Sequence, residues 1–272
     1  MIPFLTRKSD IDAYIDSYLR EQCAHFNDVN EAIREACTRL IPYTLAGKST
    51  RGCLLLFIHD ALDGKDRDDA MKAAAAIELF HSGLLIHDDL IDDDDRRRGM
   101  KAMHIQCAEY IKDEKIGKDI ALCIGNLACS LSFKLLSNQD PKMIRIFSDA
   151  FATVCIGQIH DILPDKPSTA EEWLALYRNK TARYSFSLPM AIGAMLAGRA
   201  DLIVALQEWG DDLGIIYQLR DDELDDELPI ELKGMKELIL ERTLSMAVSL
   251  PFSEETRQSL KLFVDFCATR ER

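Results

Sequence analysis

Helix-breaking residues are scarce in this chain. Only 13 glycines and 8 prolines are spread over 272 residues, and no Pro/Gly/Ser-rich or low-complexity stretch divides them. That absence argues against a string of domains on flexible linkers. With 47% hydrophobic residues it fits one helical globular domain over 1–272. Positive charge is also in deficit, since 33 Lys and Arg against 46 Asp and Glu leave a net charge of −13. A general nucleic-acid binder is excluded on that balance, and an anionic substrate needs metal ions or local basic clusters to enter. The eight cysteines contain no CxxC, and most sit in apolar helical stretches. They read as reduced core thiols of a cytoplasmic protein. The N-terminal MIPFLTRKSD lacks the apolar core of a signal peptide, and no apolar run reaches the roughly 18 residues of a membrane span. A soluble cytoplasmic protein with no transmembrane segment is the expectation.

What is present is helical period almost from end to end. Ser9-Asp10 is expected to cap a helix through Glu21, and Asn27-Asp28 another through Leu40. Pro42 and Gly47 break the chain before a helix over 49–62, and a long central helix follows over 67–92. Further helices are expected near 103–112, 117–137, 142–162, 169–178, 181–197, 201–228, 231–248 and 253–270. No segment alternates strongly enough for a strand. The expected class is an all-α bundle in which short connections make neighbouring helices mostly antiparallel.

The stretch that organises the rest is ELFHSGLLIHDDLIDDDDRRRG at 78–99. An apolar helical run ends in Asp88, Asp89 and Asp92 to Asp95, and Arg96, Arg97 and Arg98 follow at once. At spacings of three and four, Asp88, Asp89 and Asp92 project from one helical face, where like charges weaken an isolated helix. Cations seated on the cluster explain its persistence. Hard oxygen donors without His or Cys point to magnesium rather than zinc, and the arginines suit phosphate oxygens. A solvated acidic helix end has the same composition. A second copy, YQLRDDELDD at 217–226, decides between them, because Asp221, Asp222 and Asp225 repeat the spacing about half a chain further on. Two such faces can meet only across a central cavity.

In these paired motifs the sequence resembles the trans-prenyl diphosphate synthases, the polyprenyl synthetase family. That family carries DDxxD, a short spacer and RRG on one helix, and a second DDxxD preceded by Gln on another. The matching residues are Asp88, Asp89, Asp92, Arg97, Arg98, Gly99, Gln218, Asp221, Asp222 and Asp225. The likeness runs from about residue 30 to about 228. It also takes in AGKSTRGC at 46–53, with Lys48 and Arg51, and His81 two turns before Asp88. Gly157, Gln158 and Asp161 match GQxxD, and Lys180-Thr181 match a KT pair. Taken singly, each of these reads equally as surface polarity or a satisfied helix residue. Departures are Ser49 for a basic residue, Gly52 for proline, Lys101-Ala102 for Pro-Thr, and Asn126 for Asp. The Gly-Asp…Gly-Lys stretch after the second motif is replaced by ELPIELKGMKEL, where Lys233 or Lys236 could supply the missing cation.

The resemblance implies a magnesium-dependent prenyltransferase of the isoprenoid synthase fold, acting as a homodimer on isopentenyl diphosphate and an allylic diphosphate. It makes Asp88, Asp89, Asp92, Asp221, Asp222 and Asp225 the metal ligands, and Lys180, Thr181, Gln218 and Arg97 the catalytic groups. Lys48, Arg51, His81, Arg97, Arg98, Lys180 and Gln158 bind substrate. Two rivals share part of the pattern. A class I terpene cyclase ionises the same kind of substrate but carries an Asn/Ser/Glu second site and no isopentenyl diphosphate pocket. A non-catalytic subunit of a heteromeric synthase loses aspartates that are retained here. Product length is expected to be set by residues below Asp88 on its own helix: Leu84, Gly83, Phe80 and Ile77. The family's fifteen-carbon producers place an aromatic four or five residues before the motif. Here the first ring is Phe80, about 12 Å of helix rise away, which points to twenty carbons or somewhat more.

Overall fold

Side-chain caps start several of the helices in the computed structural model, which describes residues 3–25 and 30–271. Helix α1 (Lys8–Ala24) follows a single 3₁₀ turn, Pro3–Arg7, and has no side-chain cap. Ser9 bonds its neighbour Asp10 instead of capping, so the helix starts ahead of the expected cap. Asn27 and Asp28 lie outside the described residues; α2 (Glu31–Leu45) is capped by Asn30, whose side chain accepts from the Ala32 N–H at 2.7 Å. This helix runs past Pro42 rather than breaking there. Its last turn is held because Arg98 donates to the exposed-end carbonyls of Tyr43 (3.0 Å) and Thr44 (3.3 Å).

Helices α3 (Thr50–Ala61) and α4 (Arg67–Ile91) fall where the period placed them. One feature was not foreseen. The two-residue strands β1 (Arg96–Arg97) and β2 (Met100–Lys101) pair antiparallel across Arg98-Gly99, both at positive φ (52° and 77°). That is the turn geometry a two-residue hairpin requires, and Gly99 adopts it without strain. Helix α5 (Met103–Ile111) follows, then α6 (Glu114–Leu136) capped by Asp113, and α7 (Pro141–Ile162) capped by Asp140 with Pro141 at its first position. Thr169 and Glu172 form a full capping box for α8 (Ala170–Tyr177).

The expected helix over 181–197 divides. Arg178–Ser187 winds as a π-helix, and only Leu188–Leu196 (α9) is α-helical. Helix α10 (Ile203–Leu224) carries the second aspartate motif, and α11 (Met235–Ser249) and α12 (Glu254–Thr269) close the chain.

The described residues group into two compact units, one drawn from 5–53 and 71–139 and the other from 54–70 and 140–271. In the first, α1 packs on α2 and α5 on α6. Gly117 lies so close to Ala108 that a Cβ would stand 2.6 Å from its Cα. In the second, the π-helix is wrapped by α7, α9 and α10, with α11 and α12 against the other side of α10. The α10 core is Leu206, Trp209, Leu213, Ile215, Ile216 and Leu219, and Trp209 Nε1 donates to the Thr243 carbonyl.

Among the described residues one helix, α6, is long and apolar enough to cross a membrane by length and composition alone, a test that the core helix of a soluble protein also passes. All eight cysteines are free thiols, as expected, but Cys123 and Cys155 are exposed rather than core residues.

Candidate functional site

In the first unit, α4 delivers its aspartates to the hairpin. Asp92 continues the helical bonding just past Ile91, its N–H on the Asp88 carbonyl at 2.9 Å. Asp93 turns left-handed (φ 56°) and Asp94 closes back onto the Asp89 carbonyl at 3.0 Å, a Schellman-type stop. The chain is thereby turned so that Arg97 folds over the helix end. Arg97 Nε donates to Asp89 Oδ1 at 2.5 Å, and its Nη2 to Asp94 Oδ2 at 2.8 Å and Asp88 Oδ2 at 3.3 Å. Burial works against its charge, but the Asp89 bond and the three carboxylates outweigh it and hold its pKa above the usual guanidinium value.

The three aspartates of this motif are not equivalent. Asp92 is exposed and Asp88 is about a quarter exposed. Asp89 is fully buried, with Tyr43 Oη donating to Oδ2 at 2.8 Å and Arg97 on Oδ1. Burial thus sets Asp89 apart from Asp88 and Asp92, and both its oxygens are already hydrogen-bonded in this structure.

Below this motif lies a buried basic cluster. His81 has its pKa driven well below the ordinary histidine value by burial and by the charges of Arg51, Arg98 and Arg97, so those side chains share one electrostatic neighbourhood. Glu78 is buried beneath them. It accepts from the Gly52 N–H at 2.7 Å, and its pKa is raised by burial against the opposing pull of Arg51. A Cβ at Gly52 would sit 3.0 Å from the Ala74 carbonyl, which explains glycine where the family has proline. Ser49, the other departure, sits at φ 50° and donates to Asp12 at 3.0 Å. Lys48 is exposed at the mouth of α3. Arg98 is largely buried, its Cζ 5.9 Å from the Tyr43 ring centroid, and burial lowers its pKa.

Of the residues expected to set product length, Ile77 and Phe80 are fully buried and Leu84 is partly exposed. At Gly83 a Cβ would meet Cys129 Sγ and the Gly125 carbonyl at 2.8 Å, so this glycine lets α4 and α6 approach closely.

In the second unit the π-helix places Lys180 and Thr181 beside α10. The wide turn is set between two glycines, Gly157 of α7, where a Cβ would stand 2.5 Å from the Lys180 nitrogen, and Gly214 of α10, 2.4 Å from the Ala182 Cα. Lys180 Nζ donates to Asp161. The Thr181 hydroxyl donates to Gln218 Oε1 at 2.9 Å, and Gln218 Nε2 donates to Asp222 Oδ1 at 2.8 Å. Tyr177 Oη donates to the other Asp222 oxygen. Burial raises the Asp222 pKa against these two bonds. Asp221 pairs with Arg270, and Asp225 is exposed as the C-terminal cap of α10. Gln158 is half-buried on α7. A polar cavity of about 280 Å³ is lined by Asp161, Lys166, Tyr177, Lys180, Thr181, Gln218 and Asp222.

Lys236 is held on Glu223 at 2.5 Å, and Lys233 is exposed. Tyr43, Glu78, Tyr177 and Arg270 were missed from sequence. Only Glu78 carried a signal, as a lone carboxylate inside an apolar helical run.

Among the described residues no three His, Cys, Asp or Glu side chains converge as a preformed metal cage. The donor chemistry nonetheless fits magnesium, since both motifs offer carboxylate oxygens only and Asp88, Asp92 and Asp225 remain open to water.

The pattern of the polyprenyl synthetase family matches residues 33–236. A short chain isoprenyl diphosphate synthase of Methanothermobacter thermautotrophicus is 32% identical, the match covering 72% of this chain and 62% of that protein. A geranylgeranyl diphosphate synthase of Methanosarcina mazei is 32% identical over 84% of this chain and 67% of its own length. The chain thus spans about two thirds of these relatives or slightly less. Among solved structures, the geranylgeranyl pyrophosphate synthase of Corynebacterium glutamicum, complexed with isoprenyl diphosphate and magnesium, superposes with a TM-score of 0.80 at 20% identity, covering 97% of this chain and 98% of that one. The polyprenyl synthase of Caulobacter crescentus gives 0.79 at 20% identity, covering 100% and 98%. The fold is that of these isoprenoid synthases.

Proposed function

Because the chain belongs to the polyprenyl synthetase family, we propose that it joins isopentenyl diphosphate head-to-tail to an allylic diphosphate, forming a trans-prenyl diphosphate of twenty carbons or somewhat more. The observation that carries this reading is the buried cluster of Arg51, Arg98 and His81 beneath the first aspartate motif. A second anionic substrate needs such a cluster, and a terpene cyclase has no use for it.

Asp88, Asp89 and Asp92 would be the magnesium ligands of the first motif and Asp221 that of the second, with Asp222 and Asp225 acting through bound water. When bound, the metal neutralises the diphosphate and so eases cleavage of the allylic C–O bond. Arg97 and Lys180 stabilise the departing diphosphate through charge-assisted hydrogen bonds. The wide-turn carbonyls near Lys180 and Thr181, with Gln218 Oε1, supply negative dipole ends to the allylic cation without attacking it. Lys48, Arg51, His81 and Arg98 hold isopentenyl diphosphate, with Gln158 completing the substrate contacts. Its double bond attacks the cation, and the new cation loses a proton to the released diphosphate. Ile77 and Phe80, both fully buried, would form the dry, apolar floor for the growing chain.

Relatives named as geranylgeranyl and geranylfarnesyl diphosphate synthases support the product length. We further read residues 1–272 as one functional domain of a cytoplasmic homodimer. Exposed Ile156 and Ile159 on α7, and Leu122 on α6, support self-association.

Incubating the pure protein with magnesium, isopentenyl diphosphate and each allylic starter tests the reading. Elongated product dependent on both substrates is expected, with Phe80→Ala shifting it to longer chains. Product from the allylic diphosphate alone would favour the cyclase.

A further inference from the structure

We infer that Arg270, the last arginine of the C-terminal segment described, is the phosphate-handling counter-cation of the second aspartate motif. In this role it exchanges Asp221 for a diphosphate oxygen when metal binds. The inference rests on the reading of the site proposed above.

The Arg270 backbone is anchored at both its polar groups. Its N–H bonds the Phe266 carbonyl at 2.9 Å, and its own carbonyl accepts from Arg220 Nε at 3.0 Å. From that anchored backbone the side chain crosses the Tyr217 ring, Cζ standing 4.0 Å from its centroid, and Nη2 donates to Asp221 Oδ1. The side chain is 11% exposed against 35% for Asp221. Arg270 Nε is buried without a hydrogen-bond partner. The guanidinium therefore serves Asp221 while keeping a donor unused, and a buried unsatisfied donor costs free energy until an acceptor arrives.

The first motif shows the same device. Arg97 covers Asp88, Asp89 and Asp94 from just beyond its helix end. The ten residues after Asp226 contain no arginine, and of the two lysines there Lys236 is bound to Glu223 while Lys233 is exposed. The end of α12 brings the arginine instead. A planar guanidinium serves carboxylate and phosphate with the same fork geometry, so the exchange needs a side-chain movement and no refolding.

Calorimetric titration of the whole chain with magnesium alone, and with inorganic diphosphate in the presence of magnesium, tests this without turnover. Circular dichroism checks the fold of each variant. Arg270→Gln is expected to bind magnesium alone more tightly, because Asp221 loses its competing cation, and to bind diphosphate about tenfold or more weakly. Arg270→Lys should recover part of the diphosphate affinity. Asp221→Asn separates the two levels. If it leaves magnesium-dependent diphosphate binding intact, the site reading itself fails. If it abolishes that binding while Arg270→Gln alters neither affinity, the site stands and the role of Arg270 is overturned.

Discussion

Asp89 and His81 show how burial divides labour among residues that look alike in sequence. Asp88, Asp89 and Asp92 are one motif as letters, yet only Asp89 is fully enclosed, between the Tyr43 hydroxyl and Arg97. Burying a carboxylate is costly unless its oxygens are paired, and here both are, one of them by Arg97. His81 is the converse case, a histidine kept neutral by burial and by Arg51, Arg98 and Arg97. Its folded pKa lies below its unfolded value of about 6.5. Below that pH the unfolded chain takes up a proton that the folded chain refuses. Stability contributed at neutral pH is therefore lost as pH falls from 6.5 toward the folded pKa, at up to about 1.4 kcal/mol per pH unit. Denaturant unfolding at pH 7.5 and pH 5.0 is expected to show a larger loss for the unaltered protein than for His81→Gln, which lacks this titrating group. Equal losses in the two proteins would mean that His81 is charged in the folded state.

At the scale of elements, the wide turn over Arg178–Ser187 is the feature that most shapes the second unit. An inserted π-turn is rare and frequent at functional sites. Here its cause is visible, because Gly157 and Gly214 remove two side chains where its backbone presses on α7 and α10. Gly214→Ala would place a Cβ 2.4 Å from Ala182. Although alanine is intrinsically the better helix former, the overpacking should win and lower stability by roughly 1–3 kcal/mol. A shifted urea midpoint, with activity falling because Lys180 and Thr181 move, is the expected result; an unchanged midpoint would show that the π-turn relaxes freely.

This element was illegible in sequence, since NKTARYSF carries ordinary helical period and the signal lay in glycines on two other helices. The hairpin at Arg96–Lys101 was equally hidden, because two-residue strands are too short to alternate. By contrast, α3 and α4 fell within a residue of their expected ends, where charge and turn residues bound a strong apolar period. The motif residues on those helices were legible for the same reason. Their partners Tyr43, Tyr177 and Arg270 come from distant turns and were not.

For the molecule as a whole, a net charge of −13 sets the problem that the site must solve. Under the proposed function, an acidic protein that takes anionic substrates has to gather cations where they count. Arg51, Arg97 and Arg98 are gathered in one unit, and Lys180 and Arg270 in the other. The central proposal is that neither aspartate motif supports release of the diphosphate without the other. It is tested most directly by the rate of isopentenyl-dependent product formation in Asp88→Ala, Asp221→Ala and the double variant, each checked for helical content. Groups that act as a unit fail together, so each single variant should lose nearly all turnover and the double variant should be little worse than either. Losses that multiply in the double variant, or a single variant that keeps full turnover, would contradict the claim.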